Sequence, residues 1–488
     1  MKLSKILNKC KCDYFTENFV DFEVIDLTAD SRTVKNNYIF AAISGKKDNG
    51  ENYIKKISKK KIAIIISKKS KKKPKITNAV LIRTSKVREL FSEISSIVNQ
   101  SFIKEKVAIT GTNGKTSICD YVRQHWENLN FKAASIGTLG LIFNKKKIEE
   151  SSLTTPDTVT LNKQLKFISR KKCEKLVIEA SSIGLEQSRL FPLKFDKVVF
   201  TNLSIDHLDY HKNFSNYKKV KSLLFSNYTK KKSIAIINTD NEFSNFFFNV
   251  CKRKKLKILD YGKKARFLKI SSLKKEGDGF EYEILLRNKA KKIFTKAISE
   301  YEIYNKICSL IIIYGEKLSL SKFNLLDKLK NPSGRLDKVT KNSNIFVDYA
   351  HTPDALKNVL CDLQKNCKGK LFTIIGCGGD RDKKKRPMMT EEAIKFSDLV
   401  LITDDNPRTE NPAKIRQDMM KKIKKKDKGK VIEIAGRKEA IEFTIKLLKK
   451  NDFLLIAGKG HENYQIIGKK KYFFSDKQTA KKIISKLK

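Results

Sequence analysis

Short apolar runs alternate with amphipathic stretches along most of the chain, and this pattern predicts an α/β protein. The strand-like runs in the first part of the chain are 38–43, 61–67 and 79–83. The stretch 87–99 has the apolar spacing of an amphipathic helix. A polar segment at 100–106 follows it, so we predict a small N-terminal α/β domain at residues 1–100.

Strands and helices alternate again beyond this polar segment. Strand-like runs are predicted at 107–110, 176–180, 198–201 and 233–238, with a helix at 117–129 after the first of them. Such alternation is typical of parallel strands joined by crossover helices. The polar stretch 261–296 predicts a β-rich excursion. We therefore predict a central P-loop-type ATPase domain with a parallel sheet at residues 101–331.

A second break occurs at Asn331-Pro332-Ser333-Gly334, and the alternation restarts after it. The strand-like runs of this last part are 345–349, 371–376, 399–403, 431–435 and 453–457. Polar motifs follow the carboxyl ends of these runs, where ligands bind in open α/β sheets. A Rossmann-like, doubly wound C-terminal domain is predicted at residues 332–488, which makes three domains in all.

The charge of the chain is strongly unbalanced, with 104 Lys and Arg against 53 Asp and Glu and a formal net charge of +51. This excess leaves a basic nucleic-acid-binding ATPase open as an alternative. The excess is mostly Lys, however, and it is spread in short runs such as 145–147, 383–385 and 424–426. We expect a solvated surface that steers anionic substrates, with neither nucleic acid nor a membrane as a partner.

The cysteine pattern and the lack of long apolar runs indicate the cellular compartment in which the protein works. The nine cysteines are scattered without the paired spacing of a zinc site, which suits a reducing environment. No signal peptide is apparent, and no apolar run reaches the roughly 18 residues of a membrane span. We expect a cytoplasmic protein that works as a monomer.

The most informative motif is Gly111-Thr112-Asn113-Gly114-Lys115-Thr116, which lies between a predicted strand and a predicted helix. Backbone N–H groups at such a turn, with the positive end of the helix, cradle polyphosphate. Lys115 can reach the outer phosphates, and the Thr116 hydroxyl can hold Mg²⁺. Two residues separate the glycines instead of four, so the motif is a shortened P-loop and indicates a narrower class of ATP-using enzymes.

A second polar motif follows the strand at 176–180. Glu179 lies at the end of this strand and can bind Mg²⁺ directly or through water. Ser181, Gln187 and Arg189 come shortly after it and offer neutral and cationic donors. These side chains suit a phosphorylated or carboxylated substrate.

Two of the five histidines, His207 and His211, are four residues apart after the strand at 198–201. On a helix they would share one face, which leaves a zinc site open as an alternative. The glutamate that a zinc protease would place between them is missing. We favour His207 as a Mg²⁺ ligand or an orienting group.

Further polar residues concentrate in the C-terminal part. Arg335 lies at the predicted domain junction, where it can neutralise ATP phosphates as charge develops during transfer. Asp348 at a strand end can hold a ribose hydroxyl or a metal-bound water. The motifs 376–382, 404–408 and 458–462 together supply two arginines and a glutamate that can face one zwitterionic ligand.

These motifs occur in the same order as in the Mur ligases, which are ATP-dependent amide-bond synthetases of bacterial cell-wall assembly. The chain therefore resembles this family. The resemblance extends from Asp30-Ser31-Arg32 to the segment 458–465. The motif Asp405-Asn406-Pro407-Arg408 is similar to the signature of members that add meso-2,6-diaminopimelate to UDP-N-acetylmuramoyl-L-alanyl-D-glutamate. The resemblance implies a ligase of peptidoglycan precursor synthesis that works through an acyl phosphate, with Mg²⁺ and with ATP as a co-substrate.

The resemblance also implies the residues of each subsite. The ATP-binding residues would be Gly111, Thr112, Asn113, Gly114, Lys115, Thr116, Ser117, Asn305, Arg335 and Asp348. The UDP-muramoyl-peptide site would contain Ser31, Thr154, Thr155, Ser181, Gln187 and Arg189. The diaminopimelate site would contain Arg381, Asp405, Asn406, Pro407, Arg408, Gly458 and Glu462. The metal residues would be Thr116, Glu179, His207 and Lys221 as N6-carboxylysine, and the catalytic residues Lys115, His207 and Arg335.

The chain departs from the family pattern at three places. The family often has Phe-Asn-Val shortly before position 305, where this chain reads Tyr301-Glu302-Ile303-Tyr304. Ile183 stands where a His is common, and Lys212 where a Gly is common.

Related ligases that add lysine or a dipeptide, and folylpolyglutamate synthetases, remain alternatives. Arg408 argues against the lysine enzyme, because it suits the extra carboxylate of diaminopimelate. The N-terminal domain argues against the folate enzyme, which lacks a UDP-binding module.

Overall fold

The N-terminal part of the chain forms a five-stranded sheet in the order β1-β5-β4-β3-β2. The computed structural model describes residues 1–45, 48–70, 78–151, 153–277, 279–340 and 342–487. The strands of this sheet are β1 Phe15–Glu17, β2 Asp26–Thr28, β3 Tyr38–Ala41, β4 Ile62–Ser67 and β5 Ala79–Thr84, and its helices are α1 Leu3–Leu7, α2 Ile54–Ile57 and α3 Val87–Val98. Strands β2 to β5 are parallel, and β1 runs antiparallel to β5.

Helices cover both faces of this sheet, and the strand sequences reflect that burial. All residues from Ile62 to Ile66 of β4 are buried, so this strand is a continuous apolar run rather than an alternating one. The strands predicted at 38–43, 61–67 and 79–83 and the helix at 87–99 are confirmed within a residue or two. Strands β1 and β2 were not predicted, because three residues are too few to show a period.

The central part forms an eleven-stranded sheet in the order β16-β15-β14-β13-β12-β11-β6-β10-β7-β8-β9. Its strands are β6 Glu105–Thr110, β7 Ala133–Gly137, β8 Gly140–Phe143, β9 Lys146–Glu149, β10 Lys175–Glu179, β11 Phe195–Phe200, β12 Thr229–Asn238, β13 Lys257–Gly262, β14 Leu268–Glu276, β15 Gly279–Leu286 and β16 Lys289–Lys296. Its helices are α4 Lys115–Asn128, α5 Thr158–Arg170, α6 Ser182–Glu186, α7 Leu208–His211, α8 Phe214–Asn227, α9 Ser244–Arg253 and α10 Glu300–Tyr314.

Parallel strands form the middle of this sheet, and antiparallel strands extend both of its edges. Strands β7, β10, β6, β11, β12, β13 and β14 pair in parallel. Strands β14 to β16 form an antiparallel extension at one edge, which confirms the β-excursion predicted for 261–296. The β7-β8-β9 ribbon at the other edge was not predicted. Strand β6 begins at Glu105, so the last two residues of the predicted linker 100–106 belong to the sheet.

The C-terminal part forms a six-stranded sheet in the order β17-β18-β22-β19-β20-β21 and a separate hairpin. The strands are β17 Asp337–Lys338, β18 Ile345–Asp348, β19 Leu371–Ile375, β20 Leu399–Ile402, β21 Val431–Glu433 and β22 Phe453–Ala457, with β23 Tyr464–Ile467 and β24 Lys470–Phe473 in the hairpin. The helices are α11 Pro353–Asn366, α12 Lys385–Phe396, α13 Pro412–Met420, α14 Arg437–Leu447 and α15 Asp476–Lys486. Short 3₁₀ helices lie at Gly50–Tyr53, Gly315–Lys317, Leu320–Lys328 and Lys425–Lys430.

The last strand of the C-terminal sheet, β22, inserts between β18 and β19. The carboxyl ends of these three parallel strands therefore meet at one edge, where the polar motifs follow them. The five strands predicted for this part and the α/β fold class are confirmed. The nine cysteines are free thiols, and none of the helices in the described ranges is long and apolar enough to cross a membrane.

Candidate active site

The loop between β6 and α4 approaches its neighbours so closely that only glycine fits at two positions. A Cβ atom at Gly111 would lie 1.9 Å from Thr201 Oγ1. Gly114 has a positive φ of 85°, and a Cβ there would lie 2.7 Å from Asn305 Oδ1. Helix α4 begins at the next residue, Lys115, so its N-terminus points its free N–H groups toward the loop.

Two lysines converge on the backbone of this loop. Lys115 Nζ donates to Gly111 O at 2.9 Å and to Thr112 O at 2.8 Å. Lys221 on α8 is buried, and its Nζ donates to Gly111 O at 2.7 Å from above the Tyr217 ring. Burial lowers the pKa of Lys115 below its usual value. Burial, together with the charge of Lys115, lowers the pKa of Lys221 well below its usual value.

A cluster of oxygen atoms lies beside the loop at the end of β10. Glu179 is buried, and its Oε2 accepts hydrogen bonds from Thr116 Oγ1 at 3.0 Å and Thr138 Oγ1 at 3.2 Å. Its Oε1 accepts from the Thr138 backbone N–H at 2.8 Å. Thr138 Oγ1 also lies 3.3 Å from Thr154 Oγ1. Carboxylate and hydroxyl oxygens of this kind are the ligands that Mg²⁺ prefers.

Arg335 reaches this cluster from the C-terminal part of the chain. Its Nη2 donates to Thr116 Oγ1 at 3.1 Å, and its guanidinium lies 4.7 Å from the centre of the Tyr349 ring. The carboxylate of Asp348 accepts from the backbone N–H groups of Leu336 and Ala350, both at 2.7 Å. Burial raises the pKa of Asp348, and Arg335 opposes this rise. The contacts therefore give Asp348 a part in fixing the segment that carries Arg335.

The predicted nucleotide-site residues other than Gly111 line one cavity of about 400 Å³. Its wall contains residues 112–117 together with Asn305, Arg335 and Asp348, and the predicted metal residues Glu179 and His207. Asp206, which was not predicted, lies in the same wall. A larger cavity of about 1590 Å³ adjoins Asn305 and is lined by polar residues such as Asp240.

The two histidines that suggested zinc both lie near the Tyr217 ring but have different polar neighbours. His207 precedes α7 with a positive φ of 53°, and its Nε2 lies 3.4 Å from Asp206 Oδ2. His211 is buried, with its Nε2 2.9 Å from Ser182 Oγ. Across the described ranges, no three His, Cys, Asp or Glu side chains gather closely enough to hold a metal ion.

Five of the six residues predicted for the UDP-muramoyl peptide lie near one another. Thr155 Oγ1 donates to Glu179 O at 2.7 Å and lies 2.9 Å from Ser181 Oγ. Arg189 donates to Thr155 O at 2.7 Å and to Gln187 Oε1 at 2.7 Å. Thr154 adjoins this network through its contact with Thr138. Ser31 lies in the loop after β2, and no hydrogen bond within the described ranges joins it to the network.

The motifs predicted to bind the amino-acid substrate meet at the carboxyl edge of the C-terminal sheet. Asn406 Nδ2 donates to Glu462 Oε2 at 2.9 Å, and Arg408 Nη1 donates to Gly379 O at 2.8 Å. Arg381 is exposed next to them, and its Nη1 donates to Asp380 O at 3.1 Å. Burial lowers the pKa of Arg408, and the charge of Arg381 adds to this effect.

Close packing fixes the remaining residues predicted for this site. A Cβ atom at Gly458 would lie 2.9 Å from Asp405 Oδ2, and one at Gly379 would lie 1.9 Å from Pro407 O. Burial raises the pKa of Glu462, and the nearby charge of Asp405 raises it further. The edge thus brings two guanidinium groups and two carboxylates close together.

Sequence comparison identifies the family to which this arrangement belongs. The profile of the Mur ligase middle domain matches residues 109–313, and that of the Mur ligase, glutamate ligase domain matches residues 334–460. The chain belongs to the Mur ligase family. It is therefore a member of a family of ATP-dependent amide ligases.

Individual relatives of this Mur ligase share its full length. UDP-N-acetylmuramoyl-L-alanyl-D-glutamate--2,6-diaminopimelate ligase 1 of Clostridium acetobutylicum is 36% identical, with 100% of each chain covered. The 2,6-diaminopimelate ligase of Rickettsia bellii is 39% identical over 95% of this chain and 96% of that protein. A solved structure of a UDP-N-acetylmuramoyl-L-alanyl-D-glutamate--2,6-diaminopimelate ligase is 29% identical, with a TM-score of 0.63 and 95% of each chain covered.

Two of the three departures from the family pattern have local explanations in this Mur ligase, whereas nothing in the structure explains Ile183. Lys212 follows α7 with a positive φ of 69°, which is why glycine is common there. Glu302 accepts from the Ile298 N–H at 3.0 Å and pairs with Lys306 at 2.9 Å, so it stabilises the start of α10. Asn305 therefore still faces Gly114 despite the altered residues before it.

Three groups of the Mur ligase site were missed from the sequence. Asp206 precedes the predicted His207, His351 lies three residues after the predicted Asp348, and Lys459 lies inside the motif 458–462, but none of them was assigned a role. His351 and Asp206 line the cavity of about 400 Å³. Burial acts to raise the pKa of Asp206, yet the charges of His207, His351 and neighbouring lysines lower it to about 2.

Proposed function

We propose that this Mur ligase adds meso-2,6-diaminopimelate to the D-glutamate γ-carboxylate of UDP-N-acetylmuramoyl-L-alanyl-D-glutamate, with conversion of ATP to ADP and phosphate. The observation that carries the proposal is Arg408, fixed by its bond to Gly379 O beside the exposed Arg381 and near the Asn406–Glu462 pair. Two guanidinium groups and a carboxylate suit an amino acid that carries a second carboxylate. The names of the relatives agree with this substrate.

The nucleotide would occupy the cavity between the central and C-terminal sheets. Residues 111–117 would bind the phosphates through backbone N–H groups and the start of α4. The ammonium of Lys115 would exchange its hydrogen bonds to the carbonyls of Gly111 and Thr112 for bonds to the phosphates. Arg335, already 3.1 Å from Thr116 Oγ1, would neutralise the charge that develops on the transferred phosphoryl group.

The reaction has two steps. A γ-carboxylate oxygen of the substrate attacks the γ-phosphorus of ATP, the bond to the β-phosphate oxygen breaks, and ADP leaves with that electron pair. The amine of diaminopimelate then attacks the acyl carbon, loses a proton, and expels phosphate together with one former carboxylate oxygen. Positioning and charge neutralisation supply most of the rate enhancement in such a transfer.

The residues near the phosphate loop suit Mg²⁺. Thr116 and Glu179 would hold it, because their oxygens already lie 3.0 Å apart in a buried cluster, and His207 lies in the same wall. When bound, Mg²⁺ would neutralise phosphate charge and orient the γ-phosphoryl group. Lys221 remains the proposed carboxylysine, and its lowered pKa favours the neutral amine that must react with carbon dioxide.

The UDP-muramoyl dipeptide would lie along the network of Thr155, Ser181, Gln187 and Arg189, with Ser31 contributing from the N-terminal domain. We further propose that the enzyme works in the cytoplasm as a monomer and binds neither nucleic acid nor membranes. Nine free thiols suit a reducing compartment. The predicted domains at 1–100, 101–331 and 332–488 would supply the UDP, ATP and amino-acid sites in turn.

Phosphate release from ATP in the presence of the UDP-muramoyl dipeptide tests this proposal. We expect release with meso-diaminopimelate and only background release with L-lysine or without an amino acid. A preference for L-lysine would overturn the substrate assignment. Release that depends on DNA or RNA instead would overturn the ligase function.

A further inference from the structure

Lys459 is a fully buried lysine at the centre of the amino-acid site. It follows Gly458 at the end of β22, and its Nζ donates to Tyr464 O at 2.6 Å, to Asn406 Oδ1 at 3.3 Å and to Glu462 Oε2 at 3.3 Å. An ammonium group has three N–H donors, and these three acceptors satisfy all of them. The side chain is therefore fully engaged within the protein.

The acceptors of Lys459 belong to different segments that must be aligned for one ligand to be bound. Asn406 lies in the loop after β20, Glu462 in the loop after β22, and Tyr464 begins the β23–β24 hairpin. Asn406 Oδ1 also accepts from the Ile466 N–H at 2.9 Å, which ties the loop to the hairpin. A single ammonium group thus joins all three segments.

The ammonium of Lys459 also lies close to two acidic side chains. Its Nζ lies 3.3 Å from the Glu462 carboxylate and 3.8 Å from Asp405 Oδ1. Two neighbouring carboxylates in a buried site disfavour ionisation of each other, and a cation between them offsets this effect. Burial and Asp405 raise the pKa of Glu462, whereas Lys459 lowers it.

We propose that Lys459 is a positioning residue of the amino-acid site, which keeps Glu462 ionised and aligned with Asn406 so that Glu462 can bind the ammonium group of the incoming diamino acid. This inference rests on the proposed function. Lys459 does not contact the substrate, because its three donors point to protein acceptors. It acts through Glu462.

The pH dependence follows from the groups that surround Glu462. The charged and titratable side chains around it are Asp405, Lys459, Arg408, Arg437, Tyr349 and Tyr464. Removal of Lys459 takes away a group that lowers the pKa of Glu462, so this pKa rises further. Glu462 is then neutral over a wider acidic range, and binding of an ammonium group weakens as the pH falls.

The test compares Lys459→Met with the wild-type enzyme in steady-state phosphate release. We expect KM for meso-diaminopimelate to rise by about 20-fold, since bonds to charged groups are lost, with KM for ATP and for the UDP-muramoyl dipeptide within about twofold. The acidic limb of the kcat/KM profile for diaminopimelate should move to higher pH. An unchanged KM for diaminopimelate, or an unmoved acidic limb, would overturn the proposal.

Lys306→Met is the matched control. Lys306 is also buried and also donates to one carboxylate, Glu302 at 2.9 Å, and one carbonyl, Lys296 O at 3.1 Å. Its loss should lower thermal stability without changing KM for diaminopimelate. If both variants raise that KM equally, loss of a buried lysine acts through general destabilisation and the proposal fails.

The double variant Lys459→Met/Glu462→Gln keeps the proposal testable if Lys459→Met does not fold. Removal of both charges avoids leaving Glu462 as a buried carboxylate without its cation. Because Lys459 acts through Glu462, KM of the double variant should match that of Glu462→Gln alone. A further tenfold rise would show that Lys459 acts by another route. A wild-type enzyme inactive with diaminopimelate would instead refute the proposed function, so the two failures are distinguishable.

Discussion

The central and C-terminal sheets each present a binding edge, and the two edges hold their functional groups by different means. At the central edge the main chain dominates, because two glycines and the start of α4 shape the phosphate loop and Lys115 bonds to the carbonyls of that loop. At the C-terminal edge side chains hold one another, as Lys459, Asn406 and Glu462 do. A side-chain network couples each of its members to the others, so a change in one member should disturb the rest.

This difference predicts where single substitutions act. A change at the central edge should reduce the rate of phosphoryl transfer and leave the preference among amino acids unchanged. A change at the C-terminal edge should alter KM for the amino acid and leave KM for ATP unchanged. Arg335 joins the edges, because it lies in the C-terminal part and bonds to Thr116 of the central part.

The largest effect is expected for Lys115→Ala. Because this variant removes the cation proposed to bind the outer phosphates, kcat should fall about 1,000-fold or more in the phosphate-release assay. Lys132→Ala, at an exposed lysine of the same domain, is the control and should retain wild-type turnover. Near-normal turnover of Lys115→Ala would contradict the role of the phosphate loop.

Arg335→Lys tests the residue that connects the central edge with the C-terminal edge. A lysine keeps the charge but loses the planar fork that can bond to Thr116 and stack on Tyr349 together. We expect kcat to fall about 100-fold, with KM for diaminopimelate nearly unchanged. The measurement is kcat at saturating substrates, and a variant that keeps more than half of the activity would count against this role.

The two edges also differ in how much of each site could be predicted from the sequence. The phosphate loop is contiguous, from Gly111 to Thr116, so its spacing was readable without knowledge of the fold. The contact of Arg335 with Thr116 joins residues 219 positions apart, so the sequence could place Arg335 near the ATP phosphates only through its position at a predicted domain junction and could not show this contact. Lys459 carried no signal of its own among 104 Lys and Arg, because its role depends on three segments that meet only in the fold.

The same reasoning applies to the fold. Strands buried on both faces, such as β4, β10 and β22, are continuous apolar runs and were predicted within a residue or two. Strands β9 and β24 were not predicted, because every residue of Lys146–Glu149 and Lys470–Phe473 is exposed. Without a buried face, neither strand shows an apolar period.

Arg408→Gln tests the amino-acid edge directly. Loss of the guanidinium that suits the additional carboxylate should raise KM for meso-diaminopimelate about 15-fold and leave KM for ATP unchanged. The discrimination against L-lysine should shrink by a similar factor, because lysine lacks that carboxylate. Arg170→Gln, at an exposed arginine of α5, is the control. Undiminished discrimination in Arg408→Gln would remove the basis of the substrate assignment.

The smallest effect is expected at an exposed contact between the two domains. Asn463 Nδ2 donates to Glu150 Oε1 at 3.2 Å and so connects the amino-acid edge with the segment after β9. Because this bond is exposed to water, Asn463→Ala should raise KM for diaminopimelate by only about twofold. A tenfold change would mean that the two edges are coupled more strongly through this contact than its exposure suggests.

The central claim is that the two edges act on one carboxylate in sequence, first by phosphorylation and then by attack of an amine. Transfer of ¹⁸O from a labelled D-glutamate γ-carboxylate, followed by mass spectrometry of the released phosphate, tests it most directly. We predict that each phosphate formed with meso-diaminopimelate carries one ¹⁸O atom and that the new amide retains the other. Phosphate without the label would contradict the acyl phosphate and with it the account of the two edges.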